Sequence, residues 1–118
     1  MNPHNQHPII DIEIFDDLMS VLEDGFYDLL NEFIRNTPPV LANLNQAISD
    51  SDFKVIFSIS HGLQGSTGNL GISRLSNLLL ELQKMAKSEN IEQSVKLGDA
   101  VETAFDQAKE ALLEKMQP

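Results

Sequence analysis

The sequence predicts an all-α chain, an up-down four-helix bundle with a short additional helix at its N-terminal end. Three observations carry that reading. Apolar residues recur at intervals of three and four, the helical period, rather than two. Strand-like alternation is absent. Gly71 and the string Asn90-Ile91-Glu92-Gln93 read as a helix stop and a helix start.

The first helix runs from roughly Asp11 to Leu22 and presents Ile14, Phe15, Leu18 and Leu22 on one side, with Asp11 near its N-terminus, where the backbone dipole favours negative charge. The second spans roughly Asp24 to Ser49, with Phe26, Leu29, Leu30, Phe33, Val40, Leu41, Leu44 and Ile48 facing inward. Pro38-Pro39 removes two backbone donors from it, which predicts either a kink or a restart with Thr37 as cap and Pro38 in the first turn. The third, about Ser51 to Leu70, buries Phe53, Ile56, Ser60, Leu63, Thr67 and Leu70. Gly71 ends it, and the fourth, from Ser73 to Lys87 on Leu75, Leu78, Leu79, Leu82 and Met85, forms a tight antiparallel pair with the third. Leu80 lies off that stripe, toward the last helix or a partner. The last helix follows Asn90 with Leu97, Val101, Phe105, Ala108 and Leu112 inside.

Residues 1–10 read as a flexible segment and 11–116 as a single domain, long enough for a core without disulfides or a structural metal. The chain starts and ends close to the bundle limits, the expectation for a stand-alone protein. No apolar run approaches the roughly 20 residues of a membrane span, and the first residues lack a signal-peptide pattern, so a cytoplasmic protein with no membrane association is expected. Zero cysteines exclude thiol chemistry. A net charge of −10, from 18 acidic against 8 basic residues and with no basic stripe, argues against a nucleic-acid partner.

His61 is the candidate for chemistry. Its helical neighbours are Lys54, Phe57, Ser58, Gln64, Gly65 and Gly68, while the core positions Ser60 and Leu63 point about 100° or more away, so His61 faces out. Two glycines in a helix cost about 1 kcal/mol each against alanine. The phase puts both outside, where Gly65 leaves the imidazole edge open to a partner's backbone and a phosphoryl group. An imidazole in water is mostly neutral at cytosolic pH, and the neutral ring is the nucleophile. No carboxylate shares the His61 face to activate water, which favours a phosphoryl relay over hydrolysis.

Ser60-His61-Gly62-Leu63-Gln64-Gly65-Ser66-Thr67-Gly68-Asn69-Leu70-Gly71 resembles the phosphorylation-site signature of histidine-containing phosphotransfer (HPt) domains: His-x-Leu-Lys-Gly-Ser-Ser or Ala, small residues, then Leu-Gly. The stretch from Phe33-Ile34-Arg35-Asn36-Thr37-Pro38-Pro39 to Asp50-Ser51-Asp52 is similar to the family's second helix and turn, so the resemblance covers roughly residues 11 to 115. It implies a cytoplasmic four-helix bundle whose histidine, here His61, takes a phosphoryl group from the aspartyl phosphate of a receiver domain and passes it to another. The protein would be a phosphocarrier rather than an independent enzyme. It would work as a monomer between response-regulator receivers or a hybrid histidine kinase, with Mg2+ held by the receiver and no cofactor of its own.

One position departs from the signature. Gln64 stands where the family usually has lysine, whose charge meets the phosphoryl oxygens. Lys54, two turns back, and Gln83, near the level of His61 in an antiparallel hairpin, are candidate substitutes. Phe57, Ser58, Gly65, Gly68 and the first-helix positions Ile10 and Met19 are candidates for the partner surface. Two other readings stay open: an HPt-like docking module that binds a receiver or kinase without being phosphorylated, and a receiver phosphatase using Gln64 or Asn69 to orient water. His4 and His7 are expected to be idle rather than metal ligands. Asp16-Asp17 and Glu23-Asp24 lack the loop spacing of a calcium site and read as solvated charges.

Overall fold

The computed structural model describes residues 7–117 and contains, in order, α1 (Ile12–Leu22), α2 (Asp24–Ser49), α3 (Phe53–Asn69), α4 (Ser73–Lys87) and α5 (Ile91–Lys115), with no strand among the described residues. Asp11 caps α1, its carboxylate accepting from the Ile14 amide at 3.2 Å; Asp52 caps α3 and Asn90 caps α5 in the same way. α3 packs on α4, α4 on α5, and α2 on both α3 and α5, while α1 lies against α2.

Three junctions share one geometry. After α2, α3 and α4 a single residue takes a positive φ: Ser51 at 52°, Gly71 at 76° and Glu89 at 55°. Its amide and the next one turn back onto the helix just ended: Ser51 and Asp52 onto Ile48 and Ala47, Gly71 and Ile72 onto Gly68 and Thr67, Glu89 and Asn90 onto Ala86 and Met85, all at 2.9 to 3.1 Å. These are Schellman turns, which satisfy the last free carbonyls of a helix. In each, the second of the two residues is also the N-cap of the following helix. The chain therefore reverses within a few residues, and consecutive helices run antiparallel.

The core is a single cluster. α2 contributes Phe26, Leu30, Phe33, Thr37, Leu41, Leu44 and Ile48, each four or three positions after the last. Leu29, expected inside, is 41% exposed because it lies a residue off that stripe, and Leu22 at the end of α1 is exposed as well. Pro38 and Pro39 sit inside an unbroken α2, so there is no restart at Thr37; Thr37 is a core position and both prolines face solvent. There water can take the place of the two missing amide donors. The inner face of α3 is as expected, and Ser60 and Thr67 are satisfied by donating their hydroxyls to the Ile56 and Leu63 carbonyls of their own helix, each at 2.7 Å. Leu80 is half-buried.

Residues 7–10, expected to be flexible, are tied down. The Arg74 guanidinium donates to the His7 carbonyl and the Arg74 amide to the Pro8 carbonyl, both at 2.9 Å, and Asp11 donates its amide to Gly71 at 2.7 Å. The strap thus crosses the start of α4 and drives Ile10 into the core. Residues 1–6, with His4, lie outside the described residues.

Gly71 is the tightest of these positions. Besides its positive φ, a Cβ there would stand 2.8 Å from Ile14 Cγ2 of α1. Gly71→Ala should therefore lower stability by about 2 to 3 kcal/mol, the sum of a left-handed backbone penalty and overpacking. By contrast, Gly25→Ala, in open space within α2, should gain up to about 1 kcal/mol. Urea denaturation midpoints of the two variants should move in opposite directions.

Candidate functional site

His61 lies near the middle of α3 and is exposed. One turn before it, the Phe57 ring runs parallel to the imidazole, with centroids 6.0 Å apart and planes 4° apart. That offset stack covers one flank of the imidazole and limits how far its ring can swing. On the next turn Gly65, like Gly62 beside His61, has nothing within 4 Å of where a Cβ would be. The ring therefore stands between an aromatic wall and bare backbone, reachable from solvent.

Gly68 is different. A Cβ on it would meet Ser76 Oγ of α4 at 3.2 Å, and the residue is half-buried, so it faces the neighbouring helix and not the surface expected for it. Ser76 in turn donates to the main-chain carbonyl of Gln64 at 3.2 Å. Gly68 thus lets α4 come close enough to grip the backbone one turn after His61, which steadies the helix that carries the imidazole.

Gln64 is half-buried, and its carbonyl also accepts from the Thr67 hydroxyl. Lys54 is exposed two turns before His61, on the same side of α3. Continuing the antiparallel register set by Ser76 brings α4 near the level of His61 at Gln83, which is half-buried with an amide oxygen that has no hydrogen-bond partner among the described residues. Ser58 and Asn69 are exposed on α3.

The surface expected on the first helix needs correcting. Ile10 precedes α1 and is only 7% exposed, pulled under by the strap bonded to Arg74, and Met19 is half-buried against the core. The open apolar side chains of this region are Ile12, Val21, Leu22 and Leu29. One feature was missed altogether. Beside His61 an open groove of about 350 Å³ is lined by Phe53, Lys54, Phe57, Ala86, Lys87 and Glu89. Its signal was available in the antiparallel register, which sets the last turn of α4 opposite the first turns of α3.

His7 is exposed, and no cluster of three or more metal-ligating side chains occurs among the described residues. None of their helices is long and apolar enough to cross a membrane.

A family model described as the Hpt domain matches residues 28–111. None of the curated proteins compared with the chain matches it. Among solved structures, the crystal structure of histidine-containing phosphotransfer protein B from Pseudomonas aeruginosa PAO1 superposes with a TM-score of 0.87 at 22% identity, covering 92% of this chain and 94% of that one. At that identity the likeness speaks for the fold.

The two glycines of α3 that flank the site should separate by substitution. Gly65→Ala should raise stability by about 1 kcal/mol through helix propensity alone. Gly68→Ala should gain clearly less, because the new methyl presses on Ser76 and its bond to Gln64. Paired thermal or urea unfolding of the two variants measures the difference.

Proposed function

The chain belongs to the Hpt domain family, and on that premise we propose that it is a phosphocarrier of a phosphorelay, with His61 as the residue that carries the phosphoryl group. The observation that supports this best is the approachability of the imidazole: exposed at mid-helix, held in orientation by the Phe57 ring, and bordered by Gly62 and Gly65 with open space beside them. The packing of α2 to α5 in a closed cycle of neighbours, with α1 at its side, suits an up-down four-helix bundle that presents α3 outward.

On this reading a ring nitrogen of His61 attacks the phosphorus of a receiver's aspartyl phosphate. The bond from phosphorus to the carboxylate oxygen breaks with its electron pair going to the carboxylate, and an N–P bond forms. Delivery to a second receiver is the reverse, with that receiver's aspartate as nucleophile. Little covalent work falls to this chain: it supplies a positioned nucleophile, and the receiver supplies the Mg2+ that neutralises the phosphoryl oxygens. It needs no cofactor of its own and acts as a cytoplasmic monomer, a carrier and not an enzyme in its own right. Gln83 is proposed to contact the phosphoryl oxygens in place of the lysine that Gln64 replaces; Lys54, the other candidate, lies about 10 Å along the helix from His61 and is left to the partner surface. An unchanged phosphorylation rate in Gln83→Ala would remove it from that role.

A second reading is kept because of Gln64. Without a cation at that position, the protein could bind receivers or a kinase as a docking module and never be phosphorylated.

The deciding experiment charges a panel of receiver domains with labelled acetyl phosphate and mixes each with wild type and with His61→Gln. The expected outcome is acid-labile, base-stable label on the wild type alone, with identical circular dichroism for the two proteins, since the exposed imidazole contributes little to the fold. Receiver binding without label on either protein would select the docking module.

A further inference from the structure

The groove beside His61 has no part in the chemistry just described, yet its composition is unusual for this molecule. In a chain with 18 acidic and 8 basic residues, it gathers two lysines against one carboxylate, Lys54 from α3 and Lys87 from the end of α4 against Glu89. Beneath these charges its walls are apolar: the rings of Phe53 and Phe57 and the methyl of Ala86. Phe57 is large, apolar and 36% exposed, and it belongs to two places at once, as a groove wall and as the ring stacked on His61.

We infer that this groove is a second contact for the receiver partner, accepting an apolar side chain flanked by a carboxylate, and that it selects and orients the partner. The inference rests on the phosphocarrier reading for the identity of the occupant. Continuity fixes the place. A receiver that brings its aspartate to the imidazole must cover Phe57, whose ring centre is 6.0 Å from that of the imidazole. A standard interface buries about 800 Å² on each partner, a disc of roughly 16 Å radius. Lys54, seven residues before His61, lies about 10 Å along the helix, inside that footprint. Charge complementarity fixes the chemistry. The two ammonium groups attract a carboxylate on a docking face that the rest of this acidic molecule would repel, and the rings below take an apolar side chain beside it. Because the groove is displaced from His61 along the helix, it acts on encounter and alignment and leaves the bond-making step alone.

The test uses the full chain and a receiver domain, charged with acetyl phosphate, that labels wild-type His61. Initial transfer rates against receiver concentration are measured for wild type, for the double variant Lys54→Glu/Lys87→Glu and for Lys54→Arg/Lys87→Arg. Reversal of both charges should raise the half-saturating receiver concentration about tenfold, as expected for rim charges that steer association. The maximal rate should stay within about twofold, the arginine variant should match wild type, and added salt should weaken wild type far more than the glutamate variant. Both lysines are exposed, so circular dichroism should be the same for all three proteins. An unchanged half-saturating concentration would overturn the inference, as would a loss confined to the maximal rate. Sedimentation of the wild type alone provides a further check: a dimer dissolved by the charge reversal would assign the groove to a second copy of this chain and overturn the inference. If no receiver labels the wild type, the phosphocarrier reading fails by itself. The groove is then judged by direct titration of receivers, where binding weakened by the charge reversal keeps it and unaltered or absent binding ends it.

Discussion

The architecture depends on how one helix gives way to the next. At three consecutive junctions the residue that completes a Schellman turn is also the first cap of the following helix. No slack remains between α2, α3, α4 and α5, so each reversal fixes the antiparallel register of the pair it joins. At the middle junction the same turn does more. The Gly71 carbonyl accepts the Asp11 amide, and the side of Gly71 where a Cβ would stand is filled by Ile14. The turn between α3 and α4 therefore docks α1 and the segment before it, and a side chain at position 71 would disturb the turn and the dock together.

Register then shapes the site. α3 is a poor helix by composition, with glycines at 62, 65 and 68 and small polar residues on its buried face. It is held by its neighbours more than by its own propensity. Ser60 and Thr67 let the helix approach the core closely while satisfying their hydroxyls on their own backbone, and Gly68 lets α4 reach the Gln64 carbonyl. With the inner side secured in this way, Gly62 and Gly65 can be left bare on the outer side. The low intrinsic stability of the segment is the cost of an accessible imidazole, offset by packing on the opposite face.

Much of this was legible in the sequence where period and caps agree. The helix limits of α2 and α4, the helix start at Asn90, and the inner face of α3 follow from spacing and residue type. The failures at Ile10 and Gly68 share a cause: each depends on what another part of the chain does. Leu29 is apolar and close to the right phase, yet the stripe through Phe26, Leu30 and Phe33 passes it by. The prolines break no helix because they fall on its solvent side. Ile10 is buried by a strap whose anchor, Arg74, is distant in sequence. Gly65 and Gly68 differ by three positions and look alike as letters, but only Gly68 meets Ser76. Ser51 and Glu89 take left-handed geometry without being glycine, so residue type did not mark the left-handed position in those two turns.

Gln64 is best understood through the demands of a carrier. A cation one turn after the imidazole stabilises the phosphorylated form when the group arrives and must be overcome when it leaves. An exposed charge of this kind is worth on the order of 1 kcal/mol, about fivefold in an equilibrium. A neutral amide gives up that factor on the receiving leg and recovers it on the delivering leg, so the overall relay from one receiver to another is unchanged while less of the phosphoryl group rests on the carrier. Meanwhile the positive charge that the site lacks at position 64 is present a short distance away, at Lys54 on α3 and Lys87 on α4 around the groove. Cations placed there act on the approach of a protein partner more than on the phosphoryl group itself. The departure from the family signature therefore reads as a shift of positive charge from the reacting atoms to the rim of the docking face.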